Sequence, residues 1–151
     1  MAQAPDLGFI HRYIPARDPS RPPLLLLHGT GADEADLIPL GEMLMPGAAL
    51  VSPRGKVSED GLNRYFRRFD EGVWDRADFA ARTEELSGFL ALARQTYGIG
   101  RPIVLGFSNG ANMGWSLMLQ DPGELPWLQV RDCWQTGVRC GGGGRRGINA
   151  S

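Results

Sequence analysis

Two stretches of the chain are short and apolar without interruption. One is Leu24–Leu27, set between Pro-Pro and His28-Gly29; the other is Ile103–Leu105, stopped by Gly106. Runs of this length ended by glycine mark strands buried on both faces of a parallel sheet. Leu7 to Pro15 instead alternates, with Phe9, His11 and Tyr13 on one face and Ile10, Arg12 and Ile14 on the other, as an edge or outer strand does. Ala48 to Gly55 predicts a further strand that ends in Pro-Arg-Gly. Between these, Leu37, Leu40, Met43 and Leu44 recur at helical spacing, and so do Phe79, Leu86, Phe89, Leu90 and Ala93, with Gly98 at the place of a helix C-terminus. A helix opening with small residues is predicted from Asn109. Lys56 to Asp75 has no clean period and many aromatics and arginines, which predicts a long functional loop. Strands alternating with helices give an α/β fold with a mostly parallel sheet and right-handed crossovers.

The pattern stops near Pro122. From Gly123 onward nothing is periodic except a short candidate strand at Trp127 to Val130, and four glycines follow in a row. Such a segment is expected to order poorly, because it buries too little to offset its conformational entropy. The expected organisation is one domain portion over residues 1–122 and an atypical tail over 123–151.

Composition narrows the function. With 151 residues, 42% hydrophobic and 22% charged, the chain suits one globular domain. Its formal net charge of −1 and the lack of a basic stripe argue against nucleic acid or anionic lipid as partners. No apolar run is long enough to span a bilayer, and the first residues lack the pattern of a signal peptide, so a cytoplasmic protein is expected. Lys56 is the only lysine; arginine supplies the rest of the basic residues, as a GC-rich coding sequence would.

The chemistry concentrates where the second apolar run ends. Gly106-Phe107-Ser108-Asn109-Gly110 fits G-x-S-x-G, in which a serine sits on a sharp strand-to-helix turn. Glycines flank it because the turn is strained and leaves no room for side chains two positions away. The turn lifts Oγ above the sheet and aims the next helix at it, so the Asn109 amide can stabilise an oxyanion. An ordinary strand-turn-helix is the plainer alternative. His28-Gly29-Thr30-Gly31 ends the other buried run, where amides that complete an oxyanion hole belong. A phosphate-cradling loop would need Gly-Lys-Ser/Thr, which is absent. His28 reads as a structural ring rather than a general base.

Four motifs, "PPLLLLHGTGADEADLIPL", "VSPRGKVSEDGLNRYFRR", "EGVWDRADFAARTEEL" and "VLGFSNGANM", occur in order between Pro22 and Met113, within a match that runs from about Leu7 to Pro122. Together they resemble the bacterial phospholipase/carboxylesterase family of α/β-hydrolases, nearest its small cytosolic branch, which includes hydrolases linked to quinone stress. The resemblance implies a Ser-His-Asp esterase acting on small carboxylic esters, with no cofactor and no metal. It matches Ser108 to the nucleophile and Thr30 and Asn109 to the oxyanion positions. It makes the loop with Arg54, Tyr65 and Phe66 the wall of the substrate pocket.

In this fold the triad runs Ser, Asp, His along the chain. Both histidines here, His11 and His28, precede Ser108. Asp121 and Asp132 follow it but have no histidine to orient, and Cys133 and Cys140 lack the partners of a metal site. The family pattern would continue with further strands; the tail resembles none of them, as a shifted reading frame or a truncated gene would explain. The expectation is an α/β-hydrolase fold lacking its C-terminal strands and helices, with an impaired nucleophile. Two alternatives stand beside it: a non-catalytic binding protein recruiting a partner or a second copy through an open sheet edge beside Ser108, and an enzyme completed by a second chain.

Overall fold

The computed structural model describes residues 4–120 and the strand 127–130. Asp121, Asp132, Cys133 and Cys140 lie outside the described residues, as does the rest of the tail.

The Leu24–Leu27 run becomes strand β2, following the shorter edge strand β1 (His11–Ile14). Leu25 and Leu27 point into one core, with Val51, Val104, Leu86, Phe89, Met113 and Leu117; Leu24 and Leu26 point into another, with Leu37, Leu50 and Leu105. Four consecutive leucines are therefore what a strand covered on both faces requires, because neighbouring side chains face opposite ways. Helix α1 (Ile38–Leu44) covers the second face, and strand β3 (Leu50–Pro53) follows. On the first face lie α2 (Arg76–Tyr97) and, after β8 (Ile103–Phe107), α3 (Asn109–Gln120). In α2 the residues Thr83, Leu86, Phe89, Leu90 and Ala93 form the buried stripe. Asp75 caps the helix by accepting from the Asp78 amide at 3.0 Å.

The sheet among the described residues has five strands in the order β1-β3-β2-β8-β9, where β9 is Trp127–Val130. Only the β1–β3 pair is antiparallel; β3, β2, β8 and β9 run parallel. This is the mostly parallel sheet that the apolar runs predict.

Two expectations need correction. The strand bearing Ser108 is not left as an open edge: β9 pairs along it, with Val104 opposite Trp127 and Phe107 opposite Val130. The candidate strand at Trp127 to Val130 is real, and the partner-recruiting surface expected on β8 is occupied by the chain itself. Nor is Lys56 to Asp75 an irregular loop. It folds into two antiparallel hairpins, β4 (Val57–Glu59) with β5 (Leu62–Arg64), and β6 (Arg68–Asp70) with β7 (Val73–Trp74). The first turns through Asp60 and Gly61 at φ 51° and 80°. Positive φ at both central residues is what a two-residue hairpin turn twisted with its strands demands, and Asp-Gly supplies it. The hairpins are too short for period-2 alternation to show above the aromatics around them.

Candidate active site

The turn from β8 into α3 is where local sequence and global packing meet. Ser108 has φ 51°, one of two non-glycine residues with positive φ among those described. A serine held in the left-handed region costs free energy that the surrounding contacts must offset. Those contacts are backbone against backbone. A Cβ on Gly106 would lie 2.7 Å from the Ala111 Cα, and one on Gly110 would run into the carbonyl oxygens of Leu27 and His28. Gly110 thus lets α3 begin directly against the end of β2, which aligns the serine turn with the loop that follows that strand.

That loop lies beside the turn because β2 and β8 are in parallel register, Leu27 opposite Gly106. Gly29 passes the Phe107 ring so closely that a Cβ would sit 2.8 Å from it. Thr30 is the next residue, partly exposed.

A buried polar network holds this arrangement. The His28 Nε2 accepts from the Gly55 amide at 2.9 Å, which leaves Nδ1 as the protonated nitrogen, 2.7 Å from the Gly29 carbonyl. The ring is 1% exposed, and burial holds its pKa below the ordinary histidine value. Both nitrogens are committed to backbone groups, as expected of a structural ring. Tyr65 donates its hydroxyl to the Pro53 carbonyl at 2.7 Å, and the same oxygen accepts from the His28 amide at 3.3 Å. Asn109 accepts from the Tyr65 amide through Oδ1 at 2.7 Å. Its Nδ2 is buried without a hydrogen-bond partner among the described residues. Buried orphan donors are uncommon enough to mark strain or function.

His11 lies elsewhere. It sits on β1, three strands from β8, which at ordinary strand spacing is about 14 Å away. Its Nδ1 and Nε2 contact the Phe9 carbonyl and the Tyr97 hydroxyl at 2.8 and 2.6 Å.

The residues expected along the pocket wall separate on inspection. Arg54 is bound by Glu34 through Nε and Nη2 at 2.6 and 2.8 Å, and that bond holds the Glu34 carboxyl below its usual range. Tyr65 is 3% exposed, and Phe66 is wholly enclosed by Trp74, Phe79 and the core. Sequence reasoning passed over Arg64, although the hairpin brings it to the site. Its guanidinium, 5% exposed, donates to the Thr30 hydroxyl at 2.6 Å and to the Phe66 carbonyl at 3.1 Å. Burial, with Arg68 nearby, pulls its pKa below the usual guanidinium value. The available signal was Asp60-Gly61: once that pair is read as a turn, Leu62 and Arg64 fall on one face of the returning strand.

Among the described residues no helix is long and apolar enough to cross a membrane, and no cluster of three or more histidine, cysteine or acidic side chains could hold a metal ion.

Comparison with known proteins finds relatives in sequence and fold. The chain is 48% identical over 97 residues to MhqD of Bacillus subtilis, a hydrolase by name; the match takes in 63% of this chain and 48% of that one. The carboxylesterase of Bacillus cereus superposes with a TM-score of 0.77 at 42% identity, over 80% of this chain and 57% of that one. A carboxylesterase from Mesorhizobium loti gives 0.75 at 36% identity, over 83% and 63%. The chain therefore spans about half the length of the curated relative and under two thirds of these structures. No protein-family model matches it. The fold is that of the α/β-hydrolases, represented by part of it.

Proposed function

From a chain related by sequence and fold to carboxylesterases of the α/β-hydrolase family, we propose a serine-esterase site in which Ser108 is the nucleophile and the backbone amides of Thr30 and Asn109 form the oxyanion hole. The observation that carries this reading is the positive φ of Ser108 between glycines that no other residue could replace without collision. A left-handed serine between a buried strand and a helix is the backbone that a nucleophile turn requires.

The substrate is a small carboxylic ester. Ser108 Oγ attacks its carbonyl carbon, the charge gathers on the carbonyl oxygen between the two amides, and collapse expels the alcohol. The acyl group then leaves by hydrolysis. Both proton transfers need a base at Oγ, and residues 109–151 contain no histidine. His28 and His11 have their nitrogens engaged as described. The 151-residue polypeptide accordingly keeps the oxyanion side of the site and lacks the base.

Hydrolysis of p-nitrophenyl acetate tests this. The polypeptide should be at least about a thousandfold slower than an esterase with an intact triad, with little change in Ser108→Ala. Rapid turnover abolished by Ser108→Ala would show that a base is present; His28→Ala and His11→Ala would then identify it. Mass mapping after prolonged exposure to a fluorophosphonate should find the label on Ser108, and labelling confined to other serines would refute the nucleophile.

A further inference from the structure

Thr30 carries more than an amide. Its hydroxyl oxygen accepts a hydrogen bond from Arg64 Nη1 at 2.6 Å. A guanidinium can only donate, so the hydroxyl acts there as acceptor and its one proton is not spent in that bond. Thr30 follows Gly29, which passes against Phe107, and so stands at the level of the serine turn on the neighbouring strand. We propose that the Thr30 hydroxyl is a further oxyanion donor, held and polarised by Arg64. The inference rests on the serine-esterase reading above. In it Thr30 is a catalytic residue, because its proton meets the reacting oxygen, and Arg64 is a positioning residue.

The surroundings favour this assignment over a bond that merely tidies a loop. The first hairpin is joined to the Thr30 loop by two bonds just after that residue: the Gly31 amide donates to the Asn63 carbonyl at 3.0 Å, and Asn63 Nδ2 donates to the Ala32 carbonyl at 3.0 Å. The loop is therefore fixed without Arg64. Placing a guanidinium there at 5% exposure carries a desolvation cost that a neutral residue would avoid. Glu59 offsets part of it at 3.3 Å, but Glu59 also binds Arg68 at 3.0 Å, so two guanidinium groups share one carboxylate. The cluster keeps a net positive charge behind Thr30. A hydroxyl whose oxygen is held by a buried cation becomes a stronger donor, because consecutive hydrogen bonds polarise one another. An anion forming beyond that hydroxyl feels both the proton and the charge behind it.

Phosphonylation of Ser108 tests the idea without needing turnover. A small alkyl fluorophosphonate forms an Oγ–P bond as the P–F bond breaks; fluoride leaves, the serine proton passes to water, and charge grows on the phosphoryl oxygen. Mass spectrometry follows the rate at Ser108 over a range of reagent concentrations, giving the limiting rate and the half-saturating concentration separately. A donor that acts only in the transition state changes the first and not the second. Thr30→Val should lower the limiting rate by about tenfold to a hundredfold, leaving half-saturation and the thermal midpoint nearly unchanged. Thr30→Ser should recover most of the rate. Arg64→Met should fall as Thr30→Val does, with Arg64→Lys in between. An unchanged limiting rate in Thr30→Val overturns the inference while the esterase reading stands. A fall in Thr30→Val that Thr30→Ser does not recover also overturns it. If wild-type Ser108 labels no faster than exposed serines, the esterase reading fails and takes this inference with it. Should Arg64→Met lose its fold, the Thr30 pair decides alone.

Discussion

The two hairpins between β3 and α2 come from one continuous stretch and are attached to the molecule in different ways. The first, β4–β5, is tied by backbone and buried side-chain hydrogen bonds: Asn63 to Gly31 and Ala32, Arg64 to Thr30, and the following Tyr65 to Asn109, Pro53 and His28. The second, β6–β7, leaves Phe69 70% and Val73 53% exposed. It is held by ion pairs, Arg67 with Asp75 and Arg68 with Glu59, by the Arg67 amide donating to the Asp78 carboxylate at 2.6 Å, and by Trp74 against Phe66 and Phe79. Directional bonds to buried partners fix position closely; ion pairs with a partly exposed member, and ring contacts, tolerate more sliding. The hairpin with little freedom is the one that touches the Thr30 loop.

That contrast can be broken most forcefully at a glycine. A Cβ on Gly55 would collide with the Arg64 carbonyl, whereas one on Gly72 meets nothing within 4 Å. Gly55→Ala should cost about 3 kcal/mol or more and Gly72→Ala about 1 kcal/mol, read from denaturant midpoints. Equal costs would mean that the two hairpins are equally loose. Next comes Tyr65→Phe, which strands the Pro53 carbonyl and the His28 amide. Its expected cost is about 1–3 kcal/mol by thermal unfolding, and a neutral result would remove the hydroxyl from the network.

A pH series sharpens the other side. The Asp75 carboxyl is held below its usual range, first by the Asp78 amide and then by Arg67. Its folded-state pKa is thus depressed, so its stabilisation is complete above the ordinary aspartate value near 4 and is lost as acid titrates the folded group below that. The wild-type melting temperature should therefore fall more steeply from about pH 5 to pH 2 than that of Asp75→Asn; parallel curves would contradict the capping role. The smallest effect belongs to Phe69→Ser, within about 0.5 kcal/mol by denaturant titration.

How much of this was legible beforehand follows from where the signal lies. Leu24–Leu27 and Ile103–Leu105 announced a doubly covered sheet because both faces are apolar, and Gly98 announced the end of α2 because only the left-handed cap suits that place. Ser108 was legible because its glycines encode a geometric constraint rather than a contact. The hairpins were missed because three-residue strands carry almost no periodicity, although Asp60-Gly61 stood in plain view. Arg64 was missed for a deeper reason: an arginine reads as surface until a register is known, and its burial depends on Thr30, far away in sequence. The pairing of β9 on β8 is non-local in the same sense.

The parallel pairing of β2 with β8 has a kinetic meaning as well. Leu24 and Ile103 are neighbours in the sheet although roughly eighty residues separate them along the chain. The hairpin turns and α2 can form from local sequence alone within microseconds. The serine turn cannot acquire its opposing loop until that long segment closes, a step whose entropy cost precedes any reward in contacts. During refolding, native-like helix signal should therefore appear before Ser108 is shielded or oriented. Slow maturation of the site, rather than slow formation of its parts, is the signature this topology imposes on the chain's recovery from denaturant.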